Sequence, residues 1–181
     1  MMMYAEMEAE VECAIHQLDL AMGKRRAGMA VSGAWAPSYK GFANGEDPIY
    51  ATSRILVAPM IVRLGYANVT AGEIAEGRVP GLVMCIVSMN RSLSRATGDV
   101  IGRMRAGPPE HGIATDGFTW ARVAMTHSGP RVVRVVDLRP RYVEALDRDR
   151  FRVAVPSDPG IIREFADSFA REPTVRGRHG L

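Results

Sequence analysis

The sequence predicts an α/β (α+β) fold in which helices flank a sheet and a further helix stands at the N-terminus. Near both ends of the chain, apolar residues recur every three to four positions, which is typical of amphipathic helices. In between, residues 79–138 contain short runs rich in Val and Ile, bounded by Gly and Pro, which is typical of strands. The composition, 47% apolar and 24% charged over 181 residues, is that of a globular chain. It excludes disordered and fibrous proteins.

The first element is a helix over residues 4–24, within an N-terminal unit of residues 1–30. Glutamates near its start and bases at its end complement the helix dipole. Gly23 and Gly28 are expected to stop it. Its apolar face should pack against the rest of the chain or against another subunit. The residues of that face recur at helical spacing: Val11, Ala14, Ile15, Leu18 and Met22.

Residues 31–49 are rich in Gly, Pro, Ser and Asn, and they predict a loop or linker. Three aromatic residues, Trp35, Tyr39 and Phe42, are spaced through it. We expect them to anchor the loop to the core. The alternative is that they stack on nucleic-acid bases beside Lys40.

A core domain is predicted over residues 50–155, and it begins with a helix over residues 50–66. Pro59 should kink or break this helix, and Gly65 should end it. The short polar stretch that follows, residues 67–78, predicts a short strand and a turn. It leads into the main strand region.

The strand region opens with an apolar run over residues 79–89, which predicts a buried central strand. A helix is expected over residues 92–106, with Ser92 or Ser94 as its cap. Beyond it, two alternating runs and a Ser-Gly-Pro turn at residues 128–130 predict a hairpin.

The C-terminal part combines a short helical turn at residues 140–150 with a possible last strand at residues 151–155. Residues 156–181 form the final unit, an amphipathic helix over residues 158–171 followed by a polar tail. The order of elements therefore predicts a layered arrangement with the sheet covered on at least one face.

The net charge is +3, and it is unevenly distributed. Residues 1–50 contain 4 bases and 7 acids, a net charge of −3, whereas residues 91–152 contain 12 bases and 7 acids, a net charge of +5. Every base in the second segment is Arg, whose planar fork suits phosphate. The excess indicates nucleic acid as a partner. The alternative is a solvated face in an Arg-rich chain.

Three segments within residues 50–155 carry a family resemblance: residues 64–66 (LGY), residues 80–83 (PGLV) with residues 87–90 (VSMN), and residues 112–120 (GIATDGFTW). The third is similar to the strand–turn–strand of the family, which has TDG or TNG followed, after two residues, by W. Together they resemble the N-terminal nuclease domain of type I restriction enzyme R subunits, in the PD-(D/E)XK nuclease superfamily. The resemblance implies a restriction-endonuclease-like mixed sheet with flanking helices.

The catalytic residues of that family are missing at the matching positions. Gly81 stands in place of the metal-binding Asp, Ser88 in place of the Glu and Asn90 in place of the Lys. On the following helix, Asp99 and Arg103 replace a Gln and a Tyr. The resemblance therefore implies a nuclease fold without its catalytic set, and no cofactor. The Thr-Asp-Gly turn itself is expected to be structural, and Trp120 to lie in the core.

The leading hypothesis is a non-catalytic nuclease-fold protein that binds nucleic acid. Its phosphate contacts would be made by four arginines on and beside the helix at residues 92–106: Arg91, Arg95, Arg103 and Arg105. A second hypothesis is a structural or assembly protein whose helices at residues 4–24 and 158–171 pack between subunits or against a partner protein.

A third hypothesis is a Mg²⁺-dependent restriction-type endonuclease that uses Glu73 or Glu76 together with Asp99. Only in this case is a metal expected, because the histidines lack ligand spacing and the cysteines form no CxxC pair. Cys13 and Cys85 are expected to be buried, reduced thiols. With no signal sequence and no apolar run of spanning length, we expect a cytoplasmic protein without membrane contact.

Overall fold

The structure is a computed structural model, and it describes residues 2–35, 48–66, 69–79, 81–107 and 110–171. It confirms an α+β fold with a mixed sheet and an N-terminal helix. Among the described residues, no helix has both the length and the apolar character needed to cross a membrane.

Five strands form one sheet in the order β1-β2-β3-β4-β5. Only β2 and β3 are parallel, since α6 connects them by a crossover, and the other three neighbouring pairs are antiparallel. The strands are β1 (Arg78–Val79), β2 (Leu82–Ile86), β3 (His111–Thr115), β4 (Thr119–Thr126) and β5 (Gly129–Asp137).

Eight α-helices and one π-helical segment are found in the described residues. They are α1 (Met2–Met22), α2 (Lys24–Val31), α3 (Pro48–Ala51), the π-helical segment (Thr52–Val57), α4 (Ala58–Arg63), α5 (Ala71–Ala75), α6 (Leu93–Ala106), α7 (Arg139–Phe151) and α8 (Ile161–Phe169).

The sheet lies between two unequal apolar layers, because successive strand residues point to opposite faces. Ile113 and Trp120 face the larger layer, which includes buried side chains of α1, α4, α7 and α8. Ala114 and Ala121 face the smaller layer, which α6 covers with Val100 and its neighbours. In the described part of the chain, α6 is therefore the one helix that covers the smaller apolar layer of the sheet.

The predicted helix at residues 4–24 is two helices. Gly23 adopts a φ of 80°, a left-handed conformation that favours glycine, and the chain turns there from α1 into α2. Gly28, expected to stop the first helix, instead lies within α2. Trp35 is buried as predicted, whereas Tyr39 and Phe42 lie outside the described residues, like most of the predicted linker.

The helix predicted over residues 50–66 begins at Pro48 and runs to Arg63 through the π-helical segment. Pro59 lies in the first turn of α4, where a missing N–H costs least. The predicted kink or break is therefore a change from π-helix to α-helix. Gly65, with a φ of 89°, follows the helix end as predicted.

The strand predicted in residues 67–78 is wrong apart from its last residue. Thr70 and Glu73 form a capping box, in which Glu73 N donates to Thr70 Oγ1 at 3.2 Å, and α5 follows. The turn at Gly77 is correct, and β1 then pairs with β2 across a second turn at Gly81. The apolar run of residues 79–89 is thus divided between two strands and a loop.

The last strand, predicted over residues 151–155, is also wrong. α7 is a 13-residue helix that extends through Phe151, and Val153 and Val155 lie in an irregular segment, 76% and 83% exposed. Their alternation resembles a strand, but no strand of the described sheet pairs with them.

The two helices expected to pack between subunits bury their apolar faces inside this chain. Leu18 of α1 and Phe165 of α8 are both fully buried in the larger layer. Cys13 lies on the outer side of α1 and is exposed, so its predicted burial is wrong, whereas Cys85 is buried. The α1 helix is therefore part of the subunit core.

Candidate nucleic-acid interface

The helix α6 begins with the predicted serine cap. Ser92 Oγ accepts a hydrogen bond from Ser94 N at 3.3 Å, and the backbone of Ser92 is extended, as a capping residue requires. On the sheet side, Ala96, Val100 and Met104 are buried at helical spacing. The opposite side of α6 is left to solvent.

All four arginines predicted to contact phosphate are exposed. Their guanidinium groups form no hydrogen bond or ion pair with a described residue. Arg91 lies just before the cap and Arg95 in the first turn, whereas Arg103 and Arg105 lie in the last turn. Eight residues at about 1.5 Å each separate Arg95 from Arg103 by about 12 Å along the axis. The helix therefore has two arginines at or beside each of its ends, and Arg103 and Arg105, two residues apart, point to different sides of it.

A cavity of about 600 Å³ lies beside the first pair, where β2 ends and α6 begins. The residues that line it are Ile49, Ile86, Val87, Ser88, Arg91, Ser92, Arg95 and Asp99. Two arginines and one aspartate give this lining a formal charge of +1, with serine hydroxyls as further hydrogen-bond donors.

The π-helical segment positions this cavity. Thr52 is fully buried, its hydroxyl donates to Pro48 O at 2.8 Å, and the same oxygen accepts from Met89 N at 3.1 Å. Because Met89 opens the turn that carries Arg91, the bond ties that turn to the helical layer behind it. Sequence reasoning missed Thr52, since nothing local indicates a contact 37 residues away.

The positions that match the nuclease motif are not brought together. Ser88 lines the cavity beside α6, but Gly81 lines a separate cavity of about 170 Å³ with His111 and Phe169. Asn90 lies in the turn after β2, and its buried Oδ1 has no hydrogen-bond partner among the described residues.

The acids of the endonuclease hypothesis have other partners. Glu73 accepts from Thr70 N at 2.7 Å in the capping box, which lowers its pKa, and Glu76 pairs with Arg78 at 3.1 Å. Only Asp99 lines the cavity. Within the described residues, no group of three or more His, Cys, Asp and Glu side chains could hold a metal ion.

The Thr-Asp-Gly turn has the structural role that was predicted. Asp116 Oδ1 accepts hydrogen bonds from Phe118 N at 2.9 Å and from Thr119 N at 2.7 Å. Burial raises the pKa of Asp116, and the two bonds oppose that effect. Trp120 lies fully buried against Phe165, at a ring-centroid distance of 5.0 Å.

Much of the remaining arginine excess is neutralised inside the chain. Arginines of α7 pair with acids of α1, which sequence reasoning did not foresee. The pairs are Arg141 Nε–Glu8 at 2.6 Å, Arg148 Nη1–Glu12 at 3.1 Å and Arg150 Nη2–Asp19 at 2.8 Å. The arginines on and beside α6 form no such pair with a described residue, and neither do Arg131 and Arg152.

Comparisons of this chain with protein-family models, with curated proteins and with solved structures found no match. The likeness to type I restriction enzyme R subunits therefore stays a prediction from the sequence.

Proposed function

We propose that this protein is a non-catalytic, nucleic-acid-binding protein that contacts the phosphate backbone through the arginines on and beside α6. The observation that carries the proposal is the contrast between two sets of arginines in one segment. Those of α7 hold α1 in place, whereas Arg91, Arg95, Arg103 and Arg105 are exposed without a partner among the described residues.

Unpaired, exposed guanidinium groups suit phosphate because each presents several donors and stays charged at any physiological pH. The two pairs on α6 are about 12 Å apart along the helix, whereas consecutive phosphates on one strand of a duplex are spaced at about 3.4 Å along its axis. The two pairs would therefore contact phosphates several nucleotides apart. Such contacts do not read bases, so we expect little sequence preference.

The cavity beside Arg91 and Arg95 supports the same proposal. The first turn of α6 adds the positive end of a helix dipole, and Ser88 and Ser92 add hydroxyl donors. Asp99 moderates the positive charge there. As the one carboxylate among the described lining residues, Asp99 is a poor Mg²⁺ site, so the endonuclease hypothesis is not the function we propose.

The test is fluorescence anisotropy with a labelled duplex DNA of about 25 base pairs and a single-stranded RNA, from 50 to 200 mM salt. Four phosphate contacts on duplex DNA predict a slope of about −3.6 for log affinity against log salt. Affinity should then fall about 150-fold over that range. The double variants R91A/R95A and R103A/R105A should each reduce the slope by about half.

The control is Arg54→Ala, which removes an exposed arginine beside α1 and should leave the slope unchanged. Absence of binding to either probe at 50 mM salt would overturn the proposal, as would equal losses in the control. Incubation of the DNA with Mg²⁺ should leave it intact. Cleavage that is lost in Asp99→Asn would favour the endonuclease instead.

A further inference from the structure

The strand β5 forms one edge of the sheet, and its middle is open to solvent on both faces. Residues 131–135 are all exposed, including Val132, Val133 and Val135 at 41%, 50% and 53%. Among the described strands, only β4 pairs with β5. A nine-residue edge strand with three exposed valines is unusual in a protein that stays alone, because unpaired backbone groups there can bind another strand.

The side chains of β5 divide by chemistry between the two faces. Val132 and Val135 stand opposite Val123 and Ala121 of β4, which belong to the smaller apolar layer, so both valines face the α6 side. Val133 is the extra residue of a bulge, since it has no partner on β4.

The arginines of β5 lie on the other face. Arg134 stands opposite Arg122 and pairs with Glu164 of α8, which covers the larger layer. Arg131 stands opposite Ala124, which is two residues beyond Arg122 on β4 and therefore lies on the same face as Arg122. The charges of this edge are therefore kept away from its exposed valines.

We propose that β5 pairs antiparallel with β5 of a second copy of this chain, which makes a symmetric dimer with one continuous ten-stranded sheet. The strand is complementary to itself in one register. With Val132 opposite Val135 of the partner subunit, the two-fold axis repeats the pair, and four valines meet on the α6 side. The opposed residues Val132 and Val135 then share a face of the sheet, as pairing requires, and the bulge residue Val133 lies opposite Arg134 of the partner subunit.

The same register separates the charges. It sets Arg131 opposite Val136 of the partner subunit, and these two residues lie on the same face. A shift of two residues toward the start of β5 would set Arg131 opposite Arg134 of the partner subunit, and directly opposed like charges are destabilising. This match of faces and charges is the reason that we assign the edge to a second copy rather than to a different protein.

The dimer does not depend on the proposed function, but it determines where the two copies of α6 lie relative to each other. In an antiparallel edge pairing the two-fold axis is perpendicular to the sheet, so the two α6 helices would lie on one side of the dimer. Both arginine surfaces would then face the same way.

The test is sedimentation velocity from 1 to 100 μM protein. We expect a monomer–dimer equilibrium that Val135→Lys weakens at least tenfold, because the change brings two added charges into the four-valine cluster. The matched control is Val153→Lys, which adds the same charge at an exposed valine outside the sheet. It should leave the equilibrium unchanged. Val135 is half exposed, so the variant should keep the thermal midpoint of the monomer.

Amide hydrogen exchange gives a second readout. At high protein concentration, amides of residues 131–135 should exchange at least tenfold more slowly than at low concentration, and Val135→Lys should abolish that difference. A protein that stays monomeric to 100 μM would overturn the proposal. So would a dimer that Val153→Lys weakens as much as Val135→Lys, since the irregular segment after α7 would then be the interface.

Discussion

Glu144 links α7 with α1 and with the segment before α8, and replacing it tests how much these links stabilise the fold. The side chain is 7% exposed. Its carboxylate pairs with Arg141 Nη1 at 2.6 Å and with Arg148, and it accepts from Ser157 N at 2.9 Å and from Ser157 Oγ at 2.7 Å. Because both arginines also reach acids of α1, Glu144 connects α7, α1 and the segment before α8.

The hydrogen bond from Arg141, followed by those from Ser157, lowers the pKa of Glu144 from 4.5 to about 2. At about 1.4 kcal/mol per pH unit, this difference corresponds to roughly 3 kcal/mol of stability at pH 7. Glu144→Gln should lose somewhat less, about 2–3 kcal/mol, because the arginines keep their partners on α1.

The sign of the pH dependence follows from the lowered pKa. The stabilisation is complete above about pH 5.5, where the Glu144 carboxyl of the unfolded chain is also ionised, and it is lost as the pH falls toward 2. At pH 3 the same relation leaves roughly 1 kcal/mol. Urea unfolding of both proteins from pH 7 to pH 2.5 should therefore show a difference that is constant down to about pH 5.5 and shrinks below it.

Glu76→Gln is the matched control, since it removes a carboxylate from an exposed pair with Arg78 and should change stability by less than about 0.5 kcal/mol. A difference for Glu144→Gln that is constant from pH 7 to pH 2.5 would refute the linkage argument. A loss no larger than that of the control would refute the role of Glu144 as a connection.

Two further predictions concern single positions. Gly117→Ala should destabilise the protein by about 3 kcal/mol in urea unfolding, because a Cβ there would lie 2.6 Å from a leucine methyl group at a φ of +93°. Gly129→Ala, at a φ of +102° with nothing within 4 Å, should cost only about 1 kcal/mol, and equal losses would contradict the crowding. Cys13 should react quickly with Ellman's reagent, whereas Cys85 should react only on unfolding, because burial shields its thiol and raises its pKa. Two fast thiols would contradict that burial.

The elements that sequence reasoning predicted well are those with local signals. α6 has its serine cap and apolar spacing, and the turn at residues 115–117 has an Asp that bonds its own backbone and a Gly with positive φ. The capping box at Thr70 is an equally local signal, but the sequence prediction for residues 67–78 was a strand. Residues 151–155 alternate like a strand, yet a strand needs a neighbour, and no sequence pattern shows whether one is available.

The candidate site was predictable only in part, for the same reason. The exposure of Arg91 and Arg95 followed from their positions at the start of a helix. The nuclease motif placed Gly81 with Ser88, but the turn of the β1–β2 hairpin separates them into different cavities. The tie between Thr52 and Met89 joins elements with no shared sequence signal.

The uneven charge of the chain shows most clearly what packing adds to sequence. Residues 1–50 and 91–152 carry opposite net charges, and by sequence alone the second excess predicts one basic surface. Packing of α7 against α1 cancels part of both, as in the pair of Arg141 with Glu8, 133 residues apart. What is left for a partner is therefore smaller than the segment's charge of +5 implies, and it includes the arginines on and beside α6. Replacing an arginine on or beside α6 should therefore weaken nucleic-acid binding, whereas replacing an arginine of α7 should lower the stability of the fold.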